Sequence, residues 1–422
     1  MDTTYLDPNF YVISDKLSFT IRGEVDLAEP VDGDILQRAV DTAMQRFPYF
    51  SIRIIRRDED LVVEPNPLPH NVLHTSDAVT LGSPEVNYHL VVISYDQSKV
   101  FFNVSHCITD GAGRAPLTKS VLYYYLREKY PDEQIEEEGI YLADTALFPD
   151  EDSLAVTEDE IMEAQPTYYR KPGPSYKLPE GGDISDDRQT EYRFRIDEKQ
   201  FMAVNKSNDA SPSVLVSALL TRAVWNLHPE CKKNVVTNLC LNMRPGLDNK
   251  HNYHPLFTAI PLICPEQMKA FSLEELCTSL RGMVILQSQD ENVRYILKTM
   301  IEGASLIRSI PSLEEKKKII SSAMYEENGS FSTTFIASYV GKNQMGSLSP
   351  FIKEMYTTVD AIPTGGIIVE VTSADGYFYF TFMQDFSDDI YFREFKRELE
   401  ELGVPMEYLG CGPIMAPKIQ LP

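Results

Sequence analysis

The chain has 422 residues, of which 43% are hydrophobic, and a formal net charge of −24 at pH 7. This charge argues against nucleic acids and anionic membrane surfaces as partners, because both require a basic binding surface. The length exceeds one ordinary hydrophobic core and therefore predicts two domains or lobes.

The N-terminus has neither the basic region nor the apolar run of a secretory signal, and no stretch of about 18 apolar residues occurs in the sequence. We therefore expect a cytoplasmic protein without a membrane span. The six cysteines are scattered without close pairs. This pattern is typical of reduced thiols and not of a disulfide framework or a zinc site.

The N-terminal part begins with a predicted strand from Leu17 to Val25, in which apolar and polar residues alternate. A helix is predicted from Asp32 to Phe47, because apolar residues recur every four positions, and Pro48 ends it. Residues 51–56 and 61–64 alternate as two short strands around a charged turn.

Next, two runs of β-branched and aromatic residues, 91–93 and 100–104, predict a pair of strands joined by a polar turn. Helical spacing of apolar residues follows from Thr118 to Tyr130. His106 therefore lies on a short loop between a strand and a helix.

The loop carries the pattern His-x-x-x-Asp-Gly from His106 to Gly111. An imidazole with a near-neutral pKa, held between two rigid elements, suits a general base. Gly111 would allow a positive φ, which would let Asp110 turn inward and brace the loop. The alternative interpretation is that His106 is a buried, hydrogen-bonded histidine of the core.

Residues 131–190 form a candidate linker. Acidic residues between 132 and 160 occur without any Lys or Arg, and several prolines and glycines follow between 166 and 182. Such a segment buries little apolar surface, so we interpret it as a solvated crossover, with an interaction tail as the alternative. The predicted division is an N-terminal lobe of residues 1–165 and a C-terminal lobe of residues 190–422.

In the C-terminal lobe the sequence pattern predicts a strand that runs from Val235 and ends on Arg244. It also predicts a later strand from Phe331 to Gly341, which carries Ser338. The other predicted elements of this lobe are strands at 191–196, 356–359, 366–372 and 377–383, helices at 211–227, 269–325 with breaks near 290 and 311, and 389–402, and an irregular tail at 410–422.

The His106 to Gly111 motif, together with the opening strand, the helix ending in Phe47-Pro48 and the hairpin, resembles the superfamily of CoA-dependent acyltransferases. This superfamily includes chloramphenicol acetyltransferase, the condensation domains of peptide synthetases and the plant BAHD enzymes. The chain is most similar to the alcohol acetyltransferase-like branch. Ser105 stands where many members have a first histidine, a departure that BAHD enzymes share, and the BAHD signature Asp-Phe-Gly-Trp-Gly is absent.

The resemblance implies a two-lobed α/β fold of the chloramphenicol acetyltransferase type, in which each lobe is a mixed sheet flanked by helices and an active-site tunnel lies between the lobes. It also implies an acyltransferase that moves an acyl group, acetyl or short-chain, from a CoA thioester to an alcohol or amine, with His106 as general base. Two alternatives remain: a condensation-like enzyme whose donor is a phosphopantetheine carrier protein, and a catalytically inactive binding protein on the same scaffold.

Other site residues follow from the same resemblance. Arg244 would pair with Asp110, and these two residues together with Gly111 would hold the loop. Ser338 would donate a hydrogen bond to the tetrahedral oxyanion. The alternatives are an ordinary surface arginine at a strand end and a plain strand serine, since Tyr339 replaces the asparagine of the family. Acyl-CoA is expected as a co-substrate, and its binding residues are not identified by the sequence.

We expect a monomer with no permanently bound cofactor and no metal. His251 and His254 have the spacing of metal ligands, but no cysteine or acidic third ligand is close in sequence. His70 and His74 lie in a proline-rich loop and are predicted to face solvent. No phosphate-binding loop or dinucleotide fingerprint is present.

Overall fold

The computed structural model describes residues 8–14, 17–154, 157–168, 173–178, 189–325, 333–360 and 366–422. The elements of the N-terminal part are, in chain order, β1 (Thr20–Leu27), α1 (Gly33–Met44), β2 (Ile52–Arg57), β3 (Asp60–Pro65), β4 (Leu73–His74), β5 (Thr80–Leu81), β6 (Val91–Asp96), β7 (Lys99–Ser105), α2 (Gly111–Lys129) and α3 (Glu158–Glu163).

The elements of the C-terminal part are β8 (Thr190–Asp197), α4 (Glu198–Ser207), α5 (Pro212–Leu227), β9 (Val235–Asn242), α6 (Arg244–Leu247), β10 (Phe257–Cys264), α7 (Leu273–Gln287), α8 (Asp290–Ser309), α9 (Leu313–Tyr325), β11 (Phe335–Lys342), β12 (Ile352–Val359), β13 (Ile367–Ala374), β14 (Tyr377–Gln384), α10 (Ile390–Glu401), β15 (Glu407–Pro413) and β16 (Lys418–Ile419). The described elements are therefore a mixture of helices and strands, with runs of strands from β2 to β7 and from β11 to β14.

Two mixed sheets organise the molecule. The first has the strand order β12-β1-β7-β6-β4, and the second has the order β10-β9-β11-β13-β14-β8-β15. In the first sheet β4 lies parallel to β6, and in the second β11 lies parallel to both β9 and β13. The predicted architecture of two mixed sheets flanked by helices is confirmed.

Helices cover each sheet with a continuous apolar face. In the first lobe α1 packs on α2, and Leu36, Val40, Val121 and Leu126 belong to one buried core. In the second lobe α5 is buried along almost its whole length and packs against α7 and α10. Burial of these faces fixes α2, and with it the loop that precedes α2, relative to the first sheet.

Two segments of the C-terminal part join the N-terminal lobe. Strand β12 pairs antiparallel with β1, and β16 pairs parallel with β5. Close to β16, the hydroxyl of Thr20 donates to the carbonyl of Pro417 at 2.6 Å. All strands of the first sheet except β12 precede residue 165, and all strands of the second sheet follow residue 189. The lobe bounds at 165 and 190 stay a prediction, and β12 and β16 tie the two parts of the chain together.

Some element bounds differ from the predictions. The helix predicted from Thr118 begins at Gly111, and Pro116 inside it concealed its first turns from the sequence pattern. The tail predicted to be irregular contains β15, which pairs with β8, because its backbone groups find the open edge of the second sheet. Phe331 and Ser332 lie outside the described residues, and the strand predicted there begins at Phe335.

The acidic crossover is docked onto the protein at several points, which corrects its interpretation as a solvated linker; Glu137, for example, accepts hydrogen bonds from Tyr123 and Arg127 of α2 at 2.8 Å. The side chains of Arg46 and Glu151 form an ion pair and are only 1% and 6% exposed. The neighbouring Asp152 accepts a hydrogen bond from His254 at 2.8 Å, and the carbonyl of Glu151 accepts the N–H of Tyr253 at 2.9 Å. Residues 155–156, 169–172 and 179–188 of the predicted linker lie outside the described residues.

None of the described helices combines the length and the apolar character needed to cross a bilayer. Each of the six cysteines is a free thiol.

The buried ion pair between Glu151 of the crossover and Arg46 leads to a prediction about stability. We expect Glu151→Gln to lower the free energy of unfolding by about 3 kcal/mol, because it leaves the buried guanidinium of Arg46 without a counter-charge. The matched control is Glu128→Gln, since Glu128 pairs with Arg38 at the surface, where the two side chains are 43% and 56% exposed. This control should change the free energy by less than about 1 kcal/mol.

The measurement is urea unfolding of the three proteins followed by circular dichroism. Equal midpoints for Glu151→Gln and the unsubstituted protein would show that the crossover contributes nothing to stability at this contact.

Candidate active site

His106 is held on a short loop between β7 and α2. Its backbone N–H donates to the carbonyl of Phe19 at 2.7 Å, and its ring stacks on Phe257 of β10 with centroids 4.5 Å apart. Its Nδ1 lies 3.0 Å from the carbonyl oxygen of Thr109. Because a carbonyl can only accept, Nδ1 carries the proton and Nε2 keeps its lone pair.

The surroundings of His106 keep its imidazole neutral. Burial holds the pKa of His106 below its ordinary 6.5, and the nearby Asp110 carboxylate and Thr109 carbonyl only partly oppose this. A neutral imidazole with an accepting Nε2 is the form that can take up a proton at pH 7. The geometry therefore gives His106 the chemical capacity of a base.

Asp110 has two partners that bind it from different lobes. It is the N-cap of α2, and its Oδ1 accepts the N–H of Gly113 at 2.7 Å. Its Oδ2 accepts from Nη1 of Arg244 at 2.8 Å, and both side chains are at most 7% exposed. A single carboxylate thus fixes the start of α2 and joins the N-terminal lobe to the strand end that carries Arg244.

Arg244 is itself held by the loop that follows it. Its Nε donates to the carbonyl of Asn252 at 2.9 Å, and its Nη2 donates to the carbonyl of His254 at 2.7 Å. A weaker bond of 3.2 Å joins Nη1 to Oδ1 of Asn242. These contacts use the planar fork of the guanidinium, so groups of the C-terminal lobe itself orient it toward Asp110.

Of the two glycines Gly111 and Gly113 at the start of α2, Gly113 is the one that close packing requires. Gly111 is the first residue of α2 and is not among the residues with positive φ, so the prediction of a positive φ at Gly111 is wrong. A Cβ at Gly113 would lie 2.6 Å from the carbonyl oxygen of Tyr253 and 3.0 Å from Nη2 of Arg244. The absence of a side chain at Gly113 therefore lets α2 approach the loop that holds Arg244.

A cavity of about 1110 Å³, which includes space open to solvent, lies between the lobes. The N-terminal lobe contributes residues of β1 and α2 together with strand β12, and the C-terminal lobe contributes residues of β9, β10, β11 and β13. All five site residues predicted from the sequence line this cavity: His106, Asp110, Gly111, Arg244 and Ser338.

Ser105, at the position of the first histidine of many superfamily members, is fully buried in β7. It is not among the described residues that line the cavity. In this chain the position therefore belongs to the core of the N-terminal lobe.

Sequence analysis missed an acidic residue of the cavity, Glu370. It lies on β13 in register with Ser338 on the neighbouring strand β11, and both side chains line the cavity. Burial raises the pKa of Glu370 to about 7, although Ser338 and Arg114 both favour its charged form. An acidic residue in an alternating strand is normally interpreted as solvent-facing, so no sequence signal distinguished it.

Arg114, one turn into α2, was also missed. Burial lowers the pKa of Arg114 to about 10, and the nearby Glu370 and Asp110 carboxylates oppose this. A Cβ at Gly23 of β1 would lie 2.7 Å from Cζ of Arg114. Gly23 therefore leaves the space in which the guanidinium lies.

His251 and His254 lie where the crossover meets the loop that follows Arg244. Among the described residues no group of three or more His, Cys, Asp or Glu is arranged to hold a metal ion. The two histidines instead pair with Asp150 and Asp152 of the crossover at 2.9 and 2.8 Å. Their role in the structure is to connect the crossover to the loop behind Arg244.

Of the two histidines predicted to face solvent, only one does. The side chain of His74 is 68% exposed. His70 stacks on His89 with ring centroids 3.5 Å apart, and burial lowers the pKa of His70 to about 3. The prediction for His70 is wrong because the proline-rich loop folds back onto the N-terminal lobe.

Comparison with solved structures places this architecture among known folds. No family model matches the sequence, and a search of curated proteins finds no match. The polyketide synthase associated protein 5 of Mycobacterium tuberculosis matches with a TM-score of 0.62 at 12% identity, covering 94% of this chain and 96% of that one. The chain has the chloramphenicol acetyltransferase-like fold.

Two further matches share this fold. TRI101 of F. graminearum, solved with coenzyme A and T-2 mycotoxin, has a TM-score of 0.59 at 11% identity and covers 96% of this chain and 99% of its own. The epimerization domain of the third module of tyrocidine synthetase B has a TM-score of 0.57 at 11% identity and covers 94% and 95%. The two-lobed fold implied by the resemblance is confirmed.

The ion pair between Asp110 and Arg244 is expected to stabilise the protein independently of the helix cap. We expect Asp110→Asn to lower the free energy of unfolding by about 3 kcal/mol, because asparagine still caps α2 but leaves the buried Arg244 without a counter-charge. The control is Asp32→Asn at the N-cap of α1, where the carboxylate accepts the N–H groups of Asp34 and Ile35 and caps an exposed helix end.

Asp32→Asn should change the free energy by less than about 0.5 kcal/mol, since it removes no buried ion pair. Chemical unfolding of the three proteins compares the effects. Similar small changes for both variants would mean that the contact between the lobes adds no stability beyond helix capping.

Proposed function

We propose that the chain is an acyltransferase that moves an acyl group from a CoA thioester to an alcohol or amine, with His106 as the general base. The observation that carries the proposal is the position of His106: a neutral imidazole with a free Nε2 in a cavity shared by both lobes. The fold shared with TRI101, which was solved with coenzyme A, supports the choice of donor.

In the proposed reaction the acceptor binds with its hydroxyl or amino group at Nε2 of His106. The imidazole takes the proton while the oxygen or nitrogen attacks the thioester carbonyl, which forms a C–O or C–N bond and an oxyanion. Collapse of this intermediate breaks the C–S bond, and the departing thiolate takes the proton from the imidazolium. The products are the ester or amide and free CoA, and His106 returns to its neutral form.

The other predicted residues have supporting roles in this proposal. Asp110 and Arg244 hold the loop and take no part in proton transfer, because each is committed to several hydrogen bonds. Ser338 would donate to the oxyanion, and loss of one such donor typically lowers kcat about 100- to 1000-fold. Ser338 lies on the cavity wall beside Glu370, and its single O–H, which bonds to the Glu370 carboxyl, would have to turn toward the oxyanion to play this role.

The donor in this proposal is acetyl-CoA or another short-chain acyl-CoA, and not a carrier protein. Thiol release from acetyl-CoA and octanoyl-CoA, measured against pooled alcohols and amines, tests the activity. Parallel assays with the same acyl groups on a phosphopantetheinylated carrier protein test the donor. Turnover with the carrier alone would replace CoA by a carrier in the proposal, and absence of turnover with every donor would favour a binding protein.

We expect His106→Gln to lower kcat by about 100- to 10,000-fold without unfolding the protein, because glutamine keeps a polar side chain but cannot take the proton. The control is His74→Gln, which removes an exposed histidine outside the cavity. Thiol release and the thermal unfolding midpoint are measured for both variants. If His106→Gln kept more than about a tenth of the activity, the base would have to be another group.

The pH dependence provides an independent prediction. Because burial lowers the pKa of His106, kcat/KM should fall on the acid side with a midpoint below 6.5, where the imidazole becomes protonated and can no longer act as a base. Glu370, with a pKa of about 7, titrates in a neighbouring range. The profile is therefore measured for the unsubstituted protein and for Glu370→Gln.

If the fall of kcat/KM at low pH persists in Glu370→Gln, this fall is assigned to protonation of His106. A midpoint above 7 in this variant would contradict a His106 whose pKa is lowered by burial.

A further inference from the structure

Most charged groups that line the cavity are already paired. Asp110 binds Arg244 at 2.8 Å. Glu24 binds Arg193 at 2.8 Å and also Lys99. After these pairs are set aside, the described lining leaves Arg114 and Lys119 on α2 and Glu370 on β13.

Arg114 has donor groups that the protein does not use. Its one side-chain hydrogen bond among the described residues runs from Nη2 to the hydroxyl of Thr357 at a long 3.3 Å, so Nη1 is left unbonded there. Its Nε is also unbonded, but this atom is fully buried and does not face the cavity. The guanidinium lies over Gly23, which is paired with Thr357 in the sheet below it. The site thus holds the guanidinium in place while leaving part of its hydrogen-bonding capacity free.

Glu370 approaches the same space from the other lobe. Its carboxyl group and the guanidinium of Arg114 attract each other, yet no direct ion pair between them occurs among the described contacts. Opposite charges that interact across a gap inside a cavity leave room for a bridging polar group. The gap lies in the cavity that also holds His106.

The hydrogen-bonding properties and charges of Arg114 and Glu370 determine which functional group of a ligand can bind between them. A guanidinium only donates hydrogen bonds, and a carboxylate only accepts them. A hydroxyl group can accept from Arg114 and donate to Glu370 at the same time. A carboxylate in the gap would be repelled by Glu370, and an ammonium group would be repelled by Arg114.

We propose that Arg114 and Glu370 form a clamp that binds a hydroxyl group of the acceptor other than the one that is acylated. The acceptor class is therefore a diol or a larger polyhydroxylated alcohol. This inference rests on the proposed acyltransferase function for the meaning of "acceptor", but the binding of the second hydroxyl does not depend on catalysis.

The test compares four probes that share a phenyl group and a two-carbon chain: 1-phenylethane-1,2-diol, 2-phenylethanol, 2-amino-2-phenylethanol and mandelate. Dissociation constants are measured by saturation-transfer NMR titration with CoA present, at about pH 8, above the Glu370 pKa of about 7. We expect the diol to bind at least about tenfold more tightly than each of the other three, because it alone has two hydroxyl groups, one for Nε2 of His106 and one for the gap.

The test variant is the double substitution Arg114→Met/Glu370→Leu. Replacing both charges by apolar groups of similar size avoids leaving one of them buried and unpaired, so the fold should persist. In this protein the preference for the diol over 2-phenylethanol should fall to about one. The control is Lys119→Met, which also removes one cavity cation but lies outside the clamp, and the preference should remain in this variant.

The outcomes separate the clamp from the proposed function. A diol preference that the double variant loses and Lys119→Met keeps supports the clamp, even if no alcohol is acylated and the proposed function fails. Equal binding of the diol and 2-phenylethanol to the unsubstituted protein overturns the clamp, even if both are acylated. Retention of the preference in the double variant, or its loss in Lys119→Met, also overturns it.

Discussion

A buried ion pair between Arg244 and Asp110 joins the two lobes at the point where the chain leaves β7 for α2. The carboxylate caps α2, and the guanidinium is anchored by the carbonyls of Asn252 and His254. Because a buried charge without its partner is costly, the lobes have one favourable relative position at this contact. The loop that carries His106 is fixed by the same contact.

The support behind Arg244 extends to the acidic crossover. Glu151 binds Arg46 in the first lobe, and its carbonyl accepts the N–H of Tyr253 between the two carbonyls that hold Arg244. The exchange of β12 into the first sheet adds a second connection between the lobes. The position of the site therefore depends on elements from three separate parts of the chain.

The charged side chains that line the cavity fall into two groups, according to whether an ion-pair partner is among their described contacts. The ion pair of Asp110 is held by several hydrogen bonds and suits a structural role, whereas Arg114 and Glu370 line the cavity from opposite lobes without a direct ion pair among the described contacts. Burial of these two side chains costs solvation free energy that a substrate hydroxyl would restore. Under the two proposals, His106 would supply the reactivity and the clamp would supply selectivity for the acceptor.

The sequence by itself determined the elements and the motif: periodicity placed most helices and strands, and the pattern from His106 to Gly111, with its resemblance, indicated the two-lobed fold. The same resemblance predicted Arg244 and Ser338 as site residues, and both line the cavity. The tertiary structure decided which glycine the loop requires, how the crossover docks, and that Arg114 and Glu370 share the cavity. The physical reason is that these properties depend on contacts between distant segments. Local spacing describes which face of an element a residue occupies, but not what the opposite lobe places against it.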